Sequence, residues 1–159
     1  MEDLFKNLLS NINVTDFGDP SLIQPPVLAY LGDSVHNLFV RCYLVSSHSS
    51  KVNNLHKLSV SYVSAHSQSN FLHNIYDELS EHEQYVIKRG RNSKTGSVPK
   101  NAELSEYKYA TGFETLIGYL FCSNQLDRLM EILIMSVSQN PIVKEPTHHL
   151  NSREVDTNE

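Results

Sequence analysis

Hydrophobic residues recur at helical spacing along most of this chain, and strand-like alternation is essentially absent. Leu4, Phe5, Leu8, Leu9 and Ile12 predict a short first helix, which the breaker run Phe17-Gly18-Asp19-Pro20 should end. Pro25-Pro26 suits the first turn of a helix, where proline's missing amide costs nothing, and the pattern predicts helix from there to about Ser46. On a helical wheel Leu28, Leu31, Val35, Leu38 and Cys42 share one side, and Asp33 lies opposite with Tyr30, His36 and Asn37. Gly32 in mid-helix costs roughly 1 kcal/mol against alanine, which close approach of another segment would explain.

Val52 to about Ile75 reads as one further helix through Leu55, Leu58, Val63 and Phe71, rich in serines that weaken its intrinsic propensity. Ser80-Glu81-His82-Glu83 has the form of a capping box and predicts a helix to about Arg89. Arg89 to Asn101 holds Gly90, Gly96 and Pro99 without hydrophobic periodicity, the pattern of a ligand-facing loop. Leu104–Phe121 should be helical with Phe113, Leu116, Ile117 and Leu120 inward, and Leu126 to about Val137 gives a last helix. The expected fold class is therefore all-α: one domain over residues 1–140, then a polar tail over 141–159 expected to be disordered.

Composition narrows the function classes. No apolar run reaches the roughly 20 residues of a membrane helix, and Met1-Glu2-Asp3 lacks the basic flank of a signal peptide, so a cytoplasmic or plastid-stromal protein is expected. Cys42 and Cys122 lie in apolar segments without metal-ligand spacing and read as reduced core thiols. The formal net charge of −5 opposes wholesale coating of nucleic acid. Its distribution does not: Lys88 to Lys108 carries +4, while the remainder carries −9. Lys88, Arg89, Arg91, Asn92, Lys94 and Lys100 are accordingly candidate ligands for backbone phosphates and sugar hydroxyls, unless the segment is simply a solvated loop. The stretch Gly90–Gly96 lacks the Gly-Lys-Ser/Thr ending of a phosphate-binding loop. The eight histidines are scattered, form no convincing pair beside a carboxylate, and read as surface or satisfied residues.

Two carboxylates stand out. Glu114 shares a helix face with Ala110, Ile117, Gly118 and Phe121, an apolar setting that disfavours its charge unless a cation compensates. A hydrogen bond to a tyrosine such as Tyr30 is the plainer account of it. Asp33, on the polar face, is equally readable as a solvated side chain. Hard Mg²⁺ takes oxygen ligands and can be held by one or two carboxylates plus substrate phosphates, so two helices donating one acid each would suffice.

The segment Leu28-Ala29-Tyr30-Leu31-Gly32-Asp33-Ser34-Val35 resembles the signature of the ribonuclease III superfamily. The run from Arg89 through Asn101, Arg-Gly-Arg-Asn-Ser-Lys-Thr-Gly-Ser-Val-Pro-Lys-Asn, followed by Tyr107 to Tyr119, is similar specifically to the Mini-ribonuclease III family. The resemblance spans about Pro20 to Asn140. It implies a homodimeric all-α endoribonuclease that cleaves double-stranded RNA with Mg²⁺, or Mn²⁺ in its place, and lacks a separate RNA-binding domain. It further implies that Asp33 and Glu114 are catalytic metal-binding residues, with Glu103 a secondary metal candidate. Maturation of the large-subunit ribosomal RNA precursor, free or in a pre-ribosomal particle, is the implied role. Ala29 and Thr111 stand where the larger ribonuclease III enzymes carry acids. That reduced set leaves open a catalytically inactive RNA-binding subunit of the same fold, and the basic loop alone would also suit a helical protein-interaction module.

Overall fold

The computed structural model describes residues 17–47, 51–93 and 103–138, and every regular element among them is helical. The helices are α1 (Pro25–Ser47), α2 (Val52–Val63), α3 (Ala65–Ile75), α4 (Glu81–Arg91), α5 (Leu104–Cys122) and α6 (Leu126–Ser138), with 3-10 turns at Pro20–Leu22 and Tyr76–Glu78. The all-α expectation holds, and most helix bounds fall within two residues of those read from the sequence. The expected helix around Leu4–Ile12, the segment holding Lys94 and Lys100, and the tail from 141 lie outside the described residues.

Helix α5 is the axis of the fold, packed against α1, α3, α4 and α6. Phe113, Leu116, Ile117 and Leu120 are fully buried, as their spacing predicts. Its glycines set how closely the neighbours approach. A Cβ on Gly32 of α1 would overlap the Glu114 carbonyl oxygen, and one on Gly118 would overlap the Leu28 carbonyl. Leu28 thus meets Gly118 while Gly32 meets Glu114, so α1 and α5 run antiparallel, backbone against backbone. The mid-helix glycine is explained by that approach.

The same contact corrects the wheel drawn for α1. Its buried residues are Leu28, Ala29, Gly32, Val35, His36, Phe39, Val40 and Leu44, while Leu38 is exposed. The inward arc is centred on the glycine, because close backbone approach rather than side-chain bulk decides which face turns in. His36 is therefore buried, not on a polar face, and Asp33 sits at the margin of the buried arc.

The predicted helix Val52–Ile75 is two helices. Ser64 breaks it with an extended ψ of 151°, and its hydroxyl caps α3 by accepting from the Ser67 amide at 3.3 Å. At that position the serine acts as a cap rather than as a poor interior residue. The capping box at α4 is present: Ser80 Oγ accepts from Glu83 N at 3.3 Å, and Ser80 N donates to Glu83 Oε2 at 2.8 Å. Glu83 also accepts from Arg128 Nε at 2.7 Å, tying α4 to α6. Cys42 and Cys122 are free but half-buried rather than core, and burial pushes the Cys122 thiol up to about 11. No helix among the described residues is long and apolar enough to cross a membrane.

Candidate active site

The crossing of α1 on α5 brings Asp33 and Glu114 together. Gly32 rests on the Glu114 backbone, and Asp33 is the next residue along α1. Asp33 acts electrostatically on Glu114. Burial, and then the Asp33 charge, push the Glu114 carboxyl up to about 8, against a partial offset from a hydrogen bond with the Gln68 side chain. Burial also raises the Asp33 carboxyl, and Asn37 opposes this by donating Nδ2 to Asp33 Oδ1 at 2.8 Å. No cationic side chain among the described residues figures in either carboxyl's environment.

Tyr30 does not satisfy Glu114, since it is 79% exposed on the outer side of α1. Two acids thus share a partly dry site that shifts each toward its protonated form, a cost that a hard cation would reverse by favouring both anions. The oxygen-only donor set fits Mg²⁺ or Mn²⁺ in number and type. Around the pair, Ala29 lies one turn before Asp33 and Thr111 one turn before Glu114; both are buried, and the Thr111 hydroxyl donates to the Tyr107 carbonyl at 3.0 Å. Among the described residues no cluster of three or more His, Cys, Asp or Glu forms. Glu103 is exposed at the N-cap of α5, eleven residues before Glu114 and hence about 16 Å away along the helix, and the structure does not bring it to the pair.

The basic candidates are split between surface and scaffold. Lys88 and Asn92 are exposed at the end of α4. Arg89 donates to the Ile23 carbonyl at 3.2 Å, and the Arg91 guanidinium lies 3.7 Å from the centroid of the Tyr109 ring. Helix α4 runs on to Arg91, two residues past its expected end, with Gly90 seated against Gly112 and Thr115 of α5. The basic end of α4 is thereby placed against the same stretch of α5 that carries Glu114.

Several residues at or near the site escaped the sequence reading. Asn37 had a usable signal, standing one turn after Asp33. Gln68 had none, because it reaches Glu114 from another helix. His66 pairs with Glu106 at 2.6 Å across 40 residues, so a histidine–carboxylate pair does exist, and no local spacing could announce it. His36 is buried with its Nε2 lacking a hydrogen-bond partner among the described residues, unlike the satisfied histidine expected.

Known proteins resemble this chain over most of its length. The ribonuclease III domain family matches residues 26–125. The Mini-ribonuclease 3 of Thermoanaerobacter sp. (strain X514) is 41% identical over 137 residues, covering 86% of this chain and 96% of that protein. The Mini-ribonuclease 3 of Brevibacillus brevis is 47% identical over 115 residues, 72% of this chain and 86% of the relative. A crystal structure of a Fusobacterium nucleatum protein superimposes with a TM-score of 0.68 at 27% identity, covering 74% of this chain and 94% of the other. The chain belongs to the Mini-ribonuclease III family of the ribonuclease III superfamily, and it is an endoribonuclease.

Proposed function

We propose that this endoribonuclease cleaves double-stranded RNA in a reaction dependent on Mg²⁺, for which Mn²⁺ can substitute, with Asp33 and Glu114 as the metal-binding catalytic pair. The observation that carries this reading is a half-buried Glu114 carboxyl that Asp33 acts on, with a carboxyl and an amide the only side chains acting on it. A divalent ion bound there would supply Lewis acidity toward the scissile phosphate and a lowered pKa for its own water. The chain's residues do the rest. Asn37 holds the Asp33 oxygen in place, and the Gly32 contact fixes its spacing from Glu114. Lys88 and Asn92, with Lys94 and Lys100 from the segment that follows, bind backbone phosphates and sugar hydroxyls. Arg89 and Arg91 anchor the base of that segment through Ile23 and Tyr109 while adding positive potential.

The protein acts as a homodimer in this reading. Val27, Tyr30, Leu38 and Val45 are exposed along one outer stripe of α1, an apolar surface that supports pairing with a second copy. Its RNA is the precursor of large-subunit ribosomal RNA, free or within a pre-ribosomal particle, processed in the cytoplasm. A net charge of −5 supports an assembled substrate, because the particle would supply positioning that a small basic patch does not.

Cleavage of a duplex RNA with and without Mg²⁺, by the unaltered protein and by Asp33→Asn, tests the assignment. Metal-dependent cleavage should fall by on the order of a hundredfold or more in the variant, with RNA binding retained. Equal cleavage by both proteins would overturn the role of Asp33. RNA binding without cleavage in any metal would favour a non-catalytic subunit.

A further inference from the structure

Behind the two carboxylates lies a buried polar pair that the reaction chemistry does not require. Gln68 of α3 and His36 of α1 are each only 1% exposed. The Gln68 amide nitrogen lies 3.3 Å from His36 Nδ1, and the Gln68 side chain is close enough to the Glu114 carboxyl to favour its charged form. A primary amide carries two N–H donors, and a carboxylate can only accept. With one N–H on His36 Nδ1, the other is the donor free to serve an ionised Glu114, and the two together would fix the amide's orientation. They also place the imidazole proton on Nε2. The His36 ring is packed edge-on against Phe113, with centroids 5.0 Å apart, so it cannot easily turn away.

The two atoms left over match that assignment. Gln68 Oε1 and His36 Nε2 are both buried without a hydrogen-bond partner among the described residues. Both residues line a cavity of about 210 Å³ of mixed walls, where Phe71 and Phe113 face Ser67, Asn70 and Asn74 and water can serve the outward acceptor and donor. A glutamine whose only task was to fill the core would meet its needs more cheaply as leucine or methionine.

We infer that Gln68, braced by His36, is the positioning residue that holds the Glu114 carboxylate in its metal-binding orientation. This rests on the two-carboxylate metal site proposed above. Such outer partners set both the direction and the basicity of a ligating group, and losing one typically weakens metal binding 10–100-fold. In this chain the role weighs more, because Ala29 and Thr111 supply no further carboxylate to share the ion if Glu114 turns away.

The test is Mn²⁺ affinity, measured by electron paramagnetic resonance on the RNA-free protein, for the unaltered chain, Asp33→Asn, Gln68→Met, Glu114→Gln and the double variant Gln68→Met/Glu114→Gln. Methionine keeps the volume and removes both hydrogen bonds. Gln68→Met should raise the Mn²⁺ dissociation constant about tenfold or more. At saturating metal, its KM for duplex RNA should stay within about twofold of the unaltered value. On the Glu114→Gln background the same substitution should change little, because its effect passes through the carboxylate. His36→Phe, which keeps the ring packing and removes the Nδ1 acceptor, should weaken Mn²⁺ binding in the same direction and stands in if Gln68→Met fails to fold.

Normal Mn²⁺ affinity in Gln68→Met, alongside loss in Asp33→Asn, would overturn the positioning role and leave the metal site standing. An equal loss with and without Glu114 would overturn it too, as the mark of a merely structural change. Absence of Mn²⁺ binding by the unaltered protein would remove the metal site itself, and this role with it.

Discussion

At the scale of single residues, the cost of holding Glu114 beside Asp33 should be visible as a pH dependence of stability. Glu114 titrates at about 8 in the fold against an ordinary 4.5, so between those values the folded state binds more protons than the unfolded one, and stability falls as pH rises. His36 is held down by burial at about 4 against 6.5, so its contribution has the opposite sign, stability rising through that window. The two oppose each other up to about pH 6.5, above which the Glu114 term stands alone. Denaturant unfolding of metal-free protein should therefore show a loss of about 1 kcal/mol from pH 6.5 to 8, since one pKa unit is worth about 1.4 kcal/mol and the slope fades as Glu114 ionises. Glu114→Gln should flatten that slope, and millimolar Mg²⁺ should restore the midpoint at pH 8 by binding the ionised pair. A flat profile for the unaltered protein would mean that Glu114 is solvated. Of this site, the sequence marked Glu114 as an anomaly without deciding its role, because a carboxylate among Ala110, Ile117, Gly118 and Phe121 breaks a helical pattern. Asp33 was ambiguous without its family motif, and Gln68 was invisible, since its partner lies on another helix.

At the scale of the elements, helix existence was legible because the apolar spacing of α1, α5 and α6 is long and regular, and local chemistry located the start of α4 at Ser80. The facing of α1 was misread for a physical reason. Wheels weigh side-chain hydrophobicity, whereas α1 turns toward α5 the glycine that permits contact, carrying His36 inward and leaving Leu38 outside. The break at Ser64 was missed because a capping serine and a helix-weakening serine look alike until the backbone is known. Gly32→Ala follows from the α1–α5 crossing. The added methyl would overlap a backbone carbonyl that has no side-chain freedom to yield, so the helices must separate. Loss of about 1–3 kcal/mol or more is expected from urea unfolding, with a disproportionate loss of cleavage because the Asp33–Glu114 spacing widens. Full activity in a folded Gly32→Ala protein would show that the spacing is not critical.

For the whole molecule, the account joins a compact helical scaffold, a site economical in acids and a surface divided by charge. Without an acid at position 29 or 111, the proposed metal-binding load falls on Asp33 and Glu114, and the basic end of α4 is set against the helix that bears one of them. The outer stripe of α1 is the surface proposed for dimerisation; Tyr30→Glu combined with Leu38→Glu should shift the protein from dimer to monomer in sedimentation velocity, whereas an unchanged dimer would place the interface elsewhere. The central claim is that the two carboxylates share one divalent ion. Anomalous scattering from a crystal soaked in Mn²⁺ tests it most directly: the account predicts a peak within about 2–2.5 Å of oxygens from both Asp33 and Glu114. A Mn²⁺ peak that contacts neither carboxylate, or only one with the other turned away, would contradict it.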